Sequence, residues 1–247
     1  MEEFLRNNRA LILAYDQGIE HGPSDFLKNK GWDPEYILEL AEKGPFTGVI
    51  LHKGIVEKYV DNNFEVPIVL KLSGRSKFNP KLKQSLVCSV KYAEKLGVEG
   101  VGFTIYPFSE YEDYMLEKLR EVHEEARESN KTLFVWAYPR GKGVDEFKTE
   151  NIAYATRLAA ELGADFIKVK YNHKKKEYDW VIKNALRSKI LIAGGKKVEK
   201  EEDLLNMTKE IISLGAHGLA IGRNIWQREE SEALELAKKL AKIIFND

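Results

Sequence analysis

The sequence predicts a single (β/α)8, or TIM, barrel, and three observations carry that prediction. Eight short runs rich in Val, Ile, Leu and Phe alternate with longer charged segments of helical period. Strands buried on both faces read as continuous apolar runs of this kind. The chain has 247 residues, about the length of one such barrel. Three predicted helices end in one pattern, Leu96-Gly97-Val98, Leu162-Gly163-Ala164 and Leu214-Gly215-Ala216, with a strand a few residues later. Glycine just past a helix suits a left-handed C-cap.

The elements follow in order. The strand runs are Ala10–Asp16, Gly48–His52, Pro67–Ser73, Gly100–Tyr106, Leu133–Tyr138, Phe166–Tyr171, Lys189–Gly195 and Gly218–Gly222. Asp33 is placed to cap a helix that starts at Pro34 and runs to Lys43. A short helix is expected near Ile55–Val60, and longer ones over Ser85–Leu96, Glu110–Ser129, Glu150–Leu162, Lys176–Leu186, Lys200–Leu214 and Glu229–Phe245. No linker or low-complexity stretch divides residues 1–247, so they read as one domain. The competing topology is a doubly wound open sheet; eight βα units in this length favour closure.

Composition excludes several classes. Lys+Arg and Asp+Glu both number 39, so a nucleic-acid or membrane-surface protein is not expected. Cys88 is the single cysteine, which rules out an intramolecular disulfide and a cysteine metal cluster. The start Met1-Glu2-Glu3-Phe4-Leu5-Arg6 lacks the basic and apolar regions of a signal peptide, and no apolar run is long enough for a membrane span. A soluble cytosolic protein is expected. His21, His52, His123, His173 and His217 show no metal-binding spacing, so no metal is expected.

Chemistry in such barrels sits at the C-terminal strand ends. Strand 6 reads Phe166-Ile167-Lys168-Val169-Lys170-Tyr171. Alternation puts Lys168 and Lys170 on one face, and the aliphatic pair belongs outside, against helices. Both lysines then point inward, where an ammonium is costly and a neighbouring cation lowers its pKa. The neutral amine is the nucleophile of Schiff-base chemistry. A single such lysine would read as snorkelling to solvent; two favour function. Parity does not choose between them.

Trp136 and Tyr138 share a face of strand 5, and Tyr138 falls at its end, beside the lysine strand. A phenol there is a candidate acid or base, or else a cap on the core. Asp16 closes strand 1, where a carboxylate pairs with a cation, shuttles protons or only forms a turn. Strands 7 and 8 end in Ala193-Gly194-Gly195-Lys196-Lys197 and Ile221-Gly222-Arg223-Asn224. Glycines allow close backbone approach to an anion, and loops after strands 7 and 8 commonly bind phosphate in these barrels.

With these residues in place the sequence resembles the archaeal-type class I fructose-bisphosphate aldolases. The likeness runs from about residue 8 onward. It rests on Leu13 through Pro23, Trp136 through Gly141, Gly163-Ala164-Asp165 leading into Lys168-Val169-Lys170-Tyr171, and Gly222 through Gln227. The resemblance implies Lys168 as the Schiff-base residue, Tyr138 as proton donor and acceptor, and Asp16 at the hydroxyl next to the breaking bond. It implies that Trp136 shapes the pocket and that Arg140, Gly194, Gly195, Gly222 and Arg223 hold phosphates. It also implies a phosphorylated sugar substrate, no cofactor, and a homo-oligomer, decameric in many members.

Three departures bear on substrate. The family usually has His where Gln17 stands, Ser-Gly-Gly-Pro-Lys where Ala193–Lys197 stands, and Thr-Gly-Asp where Asn172-His173-Lys174 stands. Fructose 1,6-bisphosphate cleavage is the expected reaction. The alternatives are a related Schiff-base enzyme on another phosphorylated ketose, of the amino-dideoxy-heptulosonate synthase type, and a non-catalytic sugar-phosphate sensor. A decarboxylase with Asp-x-Lys-x-x-Asp on one strand is excluded, because Lys174 lies three residues beyond Tyr171.

Overall fold

A computed structural model describes residues 1–27 and 29–246. The eight barrel strands are β1 (Ala10–Ala14), β2 (Gly48–Leu51), β3 (Ile68–Lys71), β4 (Gly100–Ile105), β5 (Thr132–Ala137), β6 (Phe166–Val169), β7 (Lys189–Ala193) and β8 (Gly218–Ile221). All pair in parallel, each with its neighbours in sequence, and β1 closes on β8 from Ala10↔Gly218 to Leu13↔Ile221. The expected closed barrel is the observed one.

The outer helices are α1 (Pro34–Lys43), α2 (Lys53–Tyr59), α3 (Val90–Lys95), α4 (Glu112–Glu128), α5 (Thr149–Glu161), α6 (Lys175–Asn184), α7 (Glu201–Ser213) and α8 (Glu230–Phe245). The Asp33 side chain accepts from Glu35 N at 3.0 Å, so the cap on α1 is real. Gly97, Gly163 and Gly215 all have positive φ, as a left-handed cap requires. Helix α8 sets Ala233, Leu236, Ala237, Leu240 and Ile244 inward, at 3.6-residue spacing. Truncating Leu236 or Leu240 to Ala is expected to cost roughly 2–5 kcal/mol.

One helix differs from expectation. The segment expected as helix Ser85–Leu96 becomes helical only at Val90, with Ser89 Oγ accepting from Tyr92 N. Before it, Ser85–Leu86 pairs antiparallel with Ser73–Gly74, and Val87 N and Cys88 N donate to Leu72 O. The backbone groups just beyond β3 need partners, and this stretch supplies them instead of coiling.

Two apolar layers result. Ile167 and Val169 join the outer layer between strands and helices, while Phe134, Phe166, Ile12 and Leu191 fill the barrel axis. Phe4 plugs the floor, 5.1 Å centroid to centroid and edge-on to Phe134, which stacks on Phe166 at 4.4 Å. Gly48 makes room for it: a Cβ there would lie 2.8 Å from the Phe4 ring. The floor is apolar and sealed, which leaves the polar residues at the other end.

Candidate active site

That end opens into a cavity of about 690 Å³. Its lining includes every residue singled out in the sequence: Asp16, Trp136, Tyr138, Arg140, Lys168, Gly194, Gly195, Gly222 and Arg223. Lys168 lies within β6, in register with Trp136 on β5 and Leu191 on β7, and is 7 % exposed. Its pKa is pulled down to about 8 by burial; Asp16 opposes that shift and the nearby charge of Lys71 adds to it. Lys170 also lines the cavity but lies beyond the end of β6, nearer solvent. Depth therefore separates the two lysines that parity left equivalent.

Asp16 follows β1 and is buried. Burial works against its charge, but Lys168, Lys71 and His52 outweigh it and hold the carboxyl well below the usual range. Its Oδ2 accepts from Lys71 Nζ at 3.2 Å, and its backbone oxygen lies 3.0 Å from His52 Nε2. Lys71, the last residue of β3, is 3 % exposed. Its ammonium lies 3.9 Å from the Trp136 ring centroid, and Lys168 lies 5.3 Å from the same ring. The sequence reading does not single out Lys71. The signal was present, since alternation from Val69 turns Lys71 inward at a strand end just as it turns Lys168.

Tyr138 stands one residue past β5, and its ring touches both apolar layers. Burial and the Asp16 charge push its phenol well above 10, so it carries its proton at neutral pH. Trp136 Nε1, Thr104 Oγ1 and Gln17 Nε2 are buried, line the cavity and lack a protein partner among the described residues. They are groups that a polyhydroxylated ligand satisfies.

The loops after β7 and β8 form one unit. The buried Asn224 donates through Nδ2 to Gly194 O at 2.7 Å and Lys196 O at 2.9 Å, and its Oδ1 accepts from Val198 N at 2.9 Å. A Cβ at Gly222 would lie 2.3 Å from Ala14 O, so only glycine lets this turn close on β1. Gly195 has φ +68 with open space where a side chain would stand. Arg223 reaches the cavity with its guanidinium 3.4 Å from Asp25. The sequence reading noted Asn224 only within a motif; its role as a clamp between loops is visible only in three dimensions.

A barrel that buries an amine beside a carboxylate and a phenol, under glycine turns and arginines, is built for carbonyl chemistry on a phosphorylated ligand, the work of aldolase barrels. Comparison with known proteins agrees. The family model described as DeoC/LacD family aldolase matches residues 10–228. The class 1 fructose-bisphosphate aldolase of Thermoproteus tenax is 44 % identical over 245 residues, covering 98 % of this chain and 92 % of that protein. A crystal structure of an archaeal fructose 1,6-bisphosphate aldolase superposes with a TM-score of 0.94 at 44 % identity, covering 100 % of this chain and 97 % of the other. A second, an archaeal fructose-1,6-bisphosphate aldolase with its catalytic Lys bound covalently to the carbinolamine intermediate, gives 0.93 at 43 %, covering 99 % and 97 %. The chain belongs to the DeoC/LacD aldolase family. Among the described residues, no helix is long and apolar enough to cross a membrane, and no group of three or more His, Cys, Asp or Glu is placed to hold a metal ion.

Proposed function

We propose that this chain is a class I fructose-bisphosphate aldolase that works through an imine on Lys168. The observation that carries the reading is the buried Lys168 amine, with its pKa near 8, in one cavity with Asp16 and Tyr138. The neutral amine adds to the C2 ketone of fructose 1,6-bisphosphate. Tyr138 protonates the departing hydroxyl, water leaves, and the iminium charge stabilises the phenolate left behind. Phenolate then takes the C4 hydroxyl proton as the C3–C4 bond breaks and its electron pair flows into the iminium. Glyceraldehyde 3-phosphate departs, and Tyr138 returns the proton to C3 of the enamine. The Tyr138 phenolate takes a proton from the water that adds to the iminium, dihydroxyacetone phosphate is released, and the Lys168 amine and the Tyr138 phenol are regenerated.

Asp16 remains ionised throughout, since the cations around it, Lys71 among them, hold its pKa low. Its work is to orient the C4 hydroxyl and stabilise the iminium. The Gly194-Gly195 and Gly222-Arg223 turns take the phosphate beside the reacting ketone, and Arg140 takes the far one. Trp136 forms the wall between Lys71 and Lys168. A homo-oligomer belongs to this reading, and light scattering tests it; a clean monomer removes it.

A second reading, another phosphorylated ketose, rests on Gln17, whose amide faces the cavity where the family usually has an imidazole. One experiment separates the two. Borohydride is added with fructose 1,6-bisphosphate, then with other ketose phosphates, and the modified peptide is mapped. Adduct on Lys168 with the bisphosphate supports the first reading. Adduct only with a different ketose supports the second, and adduct on Lys170 alone overturns the assignment of Lys168.

A further inference from the structure

The cavity rim between β5 and β6 holds an ion-pair cluster that none of the bond-making steps uses. Glu146, in the loop after β5, meets Lys170 Nζ at 2.7 Å through Oε1 and Arg140 Nε at 3.5 Å through Oε2. All three line the cavity, and their side chains are a fifth to a third exposed. Aromatic rings fix both cations in place. The Arg140 guanidinium lies 4.7 Å from the Tyr106 centroid and 5.5 Å from that of Tyr138. Lys170 Nζ lies 4.8 Å from Phe147 and 5.9 Å from Tyr138. Lys170 shares the inward face with Lys168 and stands two residues, about 6.6 Å, further up the strand direction.

We propose that Glu146 is the resident counterion of Arg140 and Lys170, and that the phosphate remote from the reacting ketone displaces it. The inference rests on the aldolase reading and adds Lys170 and Glu146 to it. Charge arithmetic supports displacement. Two cations and one carboxylate leave one net positive charge, whereas a phosphate dianion matches both cations. Phosphate and Glu146 cannot share them without like-charge contact. Leaving is inexpensive, because a carboxylate exposed to this degree exchanges its contacts with the cations for contacts with water. Departure needs only a change of side-chain rotamer, since the Glu146 side chain is about a third exposed. With a ketose that ends in a hydroxyl, Glu146 stays and accepts its hydrogen bond. Glu146 thus sets how strongly the enzyme prefers a bisphosphate to a monophosphate.

The test compares kcat/KM for fructose 1,6-bisphosphate and for fructose 1-phosphate, which lacks the remote phosphate. The ratio should rise at least threefold in Glu146→Gln, through a lower KM for the bisphosphate. In Lys170→Met it should fall at least tenfold. Inhibition of fructose 1-phosphate cleavage by inorganic phosphate should strengthen in Glu146→Gln. If Glu146→Gln does not fold, Glu146→Ala carries the same expected direction. A fall of the ratio on removing Glu146 overturns the proposal, because Glu146 would then hold the cations in place for substrate. Equal effects on both substrates in Lys170→Met overturn the subsite itself. If wild-type protein forms no imine with either ketose, the aldolase reading fails; calorimetry with inorganic phosphate then still tests for tighter binding in Glu146→Gln.

Discussion

Lys71 Nζ lies 3.2 Å from Asp16 Oδ2 and 3.9 Å from the Trp136 ring, on which Lys168 also rests at 5.3 Å. Two lysines thus share one carboxylate and one indole. The Lys71 charge depresses the pKa of Lys168 and helps keep Asp16 ionised. Lys71→Met should therefore move the pH midpoint of imine formation upward, since Lys168 loses a like charge and keeps Asp16. A pH profile of borohydride trapping reads this directly. An unchanged or lowered midpoint would show that Lys71 only fills space.

The pH profile of the wild type follows from Lys168. Its folded pKa, about 8, lies below the ordinary 10.5, and the attacking form is the neutral amine. Trapping should rise about tenfold per pH unit up to about pH 8 and level off above it. Stability has the same sign. The folded state gives up this proton before the unfolded state does, so the cost of burying the ammonium is relieved between pH 8 and 10.5. A trapping rate that is flat from pH 6 to 8 contradicts this assignment.

Tyr138→Phe should lower turnover by roughly 10²–10⁴-fold, the range of a general acid or base. Carbinolamine formation should survive the substitution, with dehydration slowed, and rapid-quench trapping separates the two steps. A loss under threefold would make Tyr138 a cap on the core and nothing more.

Gln17 accepts backbone hydrogen bonds from Glu20 and His21, and its side-chain amide lacks a protein partner among the described residues. An amide hydrogen-bonds but does not titrate near neutral pH, whereas imidazole does both. Gln17→His should raise kcat on fructose 1,6-bisphosphate and leave KM within about threefold. If kcat falls, an imidazole at this position has no proton to move.

Asn224→Ala leaves Gly194 O, Lys196 O and Val198 N without their clamp. The expected cost is about 1–3 kcal/mol per buried group left unpaired, less whatever water recovers. Urea unfolding measures that loss. The KM for phosphorylated ketoses should rise as well, since the two turns lose their common anchor. A stable variant with wild-type KM would mean that each loop holds its own shape.

Much of this was legible in the sequence. Parallel barrel strands are buried on both faces, so runs such as Leu11–Leu13 and Ile190–Ile192 stand out from charged helices. The α1 cap was readable because Asp33-Pro34 is a local signal. The ladder between Ser73–Gly74 and Ser85–Leu86 was not, because its cause is the need of Leu72 and its neighbours for backbone partners. Lys168 was marked by its neighbour Lys170, whereas Lys71 is the lone lysine of the run Pro67–Ser73 and resembles a lysine reaching for solvent. Only the barrel's curvature, which brings the end of β3 towards the end of β1, reveals its partner. Asn224 was hidden for the same reason: its three contacts join two loops that sequence keeps apart.

The pairing of β1 with β8 has a consequence for the life of the chain before it is finished. Asp16 follows the first strand and Arg223 the last, so the cavity exists only after nearly the whole sequence has emerged and the ring has shut. Until then Lys168 is an ordinary solvated lysine, protonated at neutral pH in all but roughly one molecule in a few thousand. A nascent or unravelled chain therefore carries no unusually hungry amine among the aldehydes and ketones it meets. Reactivity switches on with closure, and the architecture that makes the nucleophile is also what keeps it from acting early.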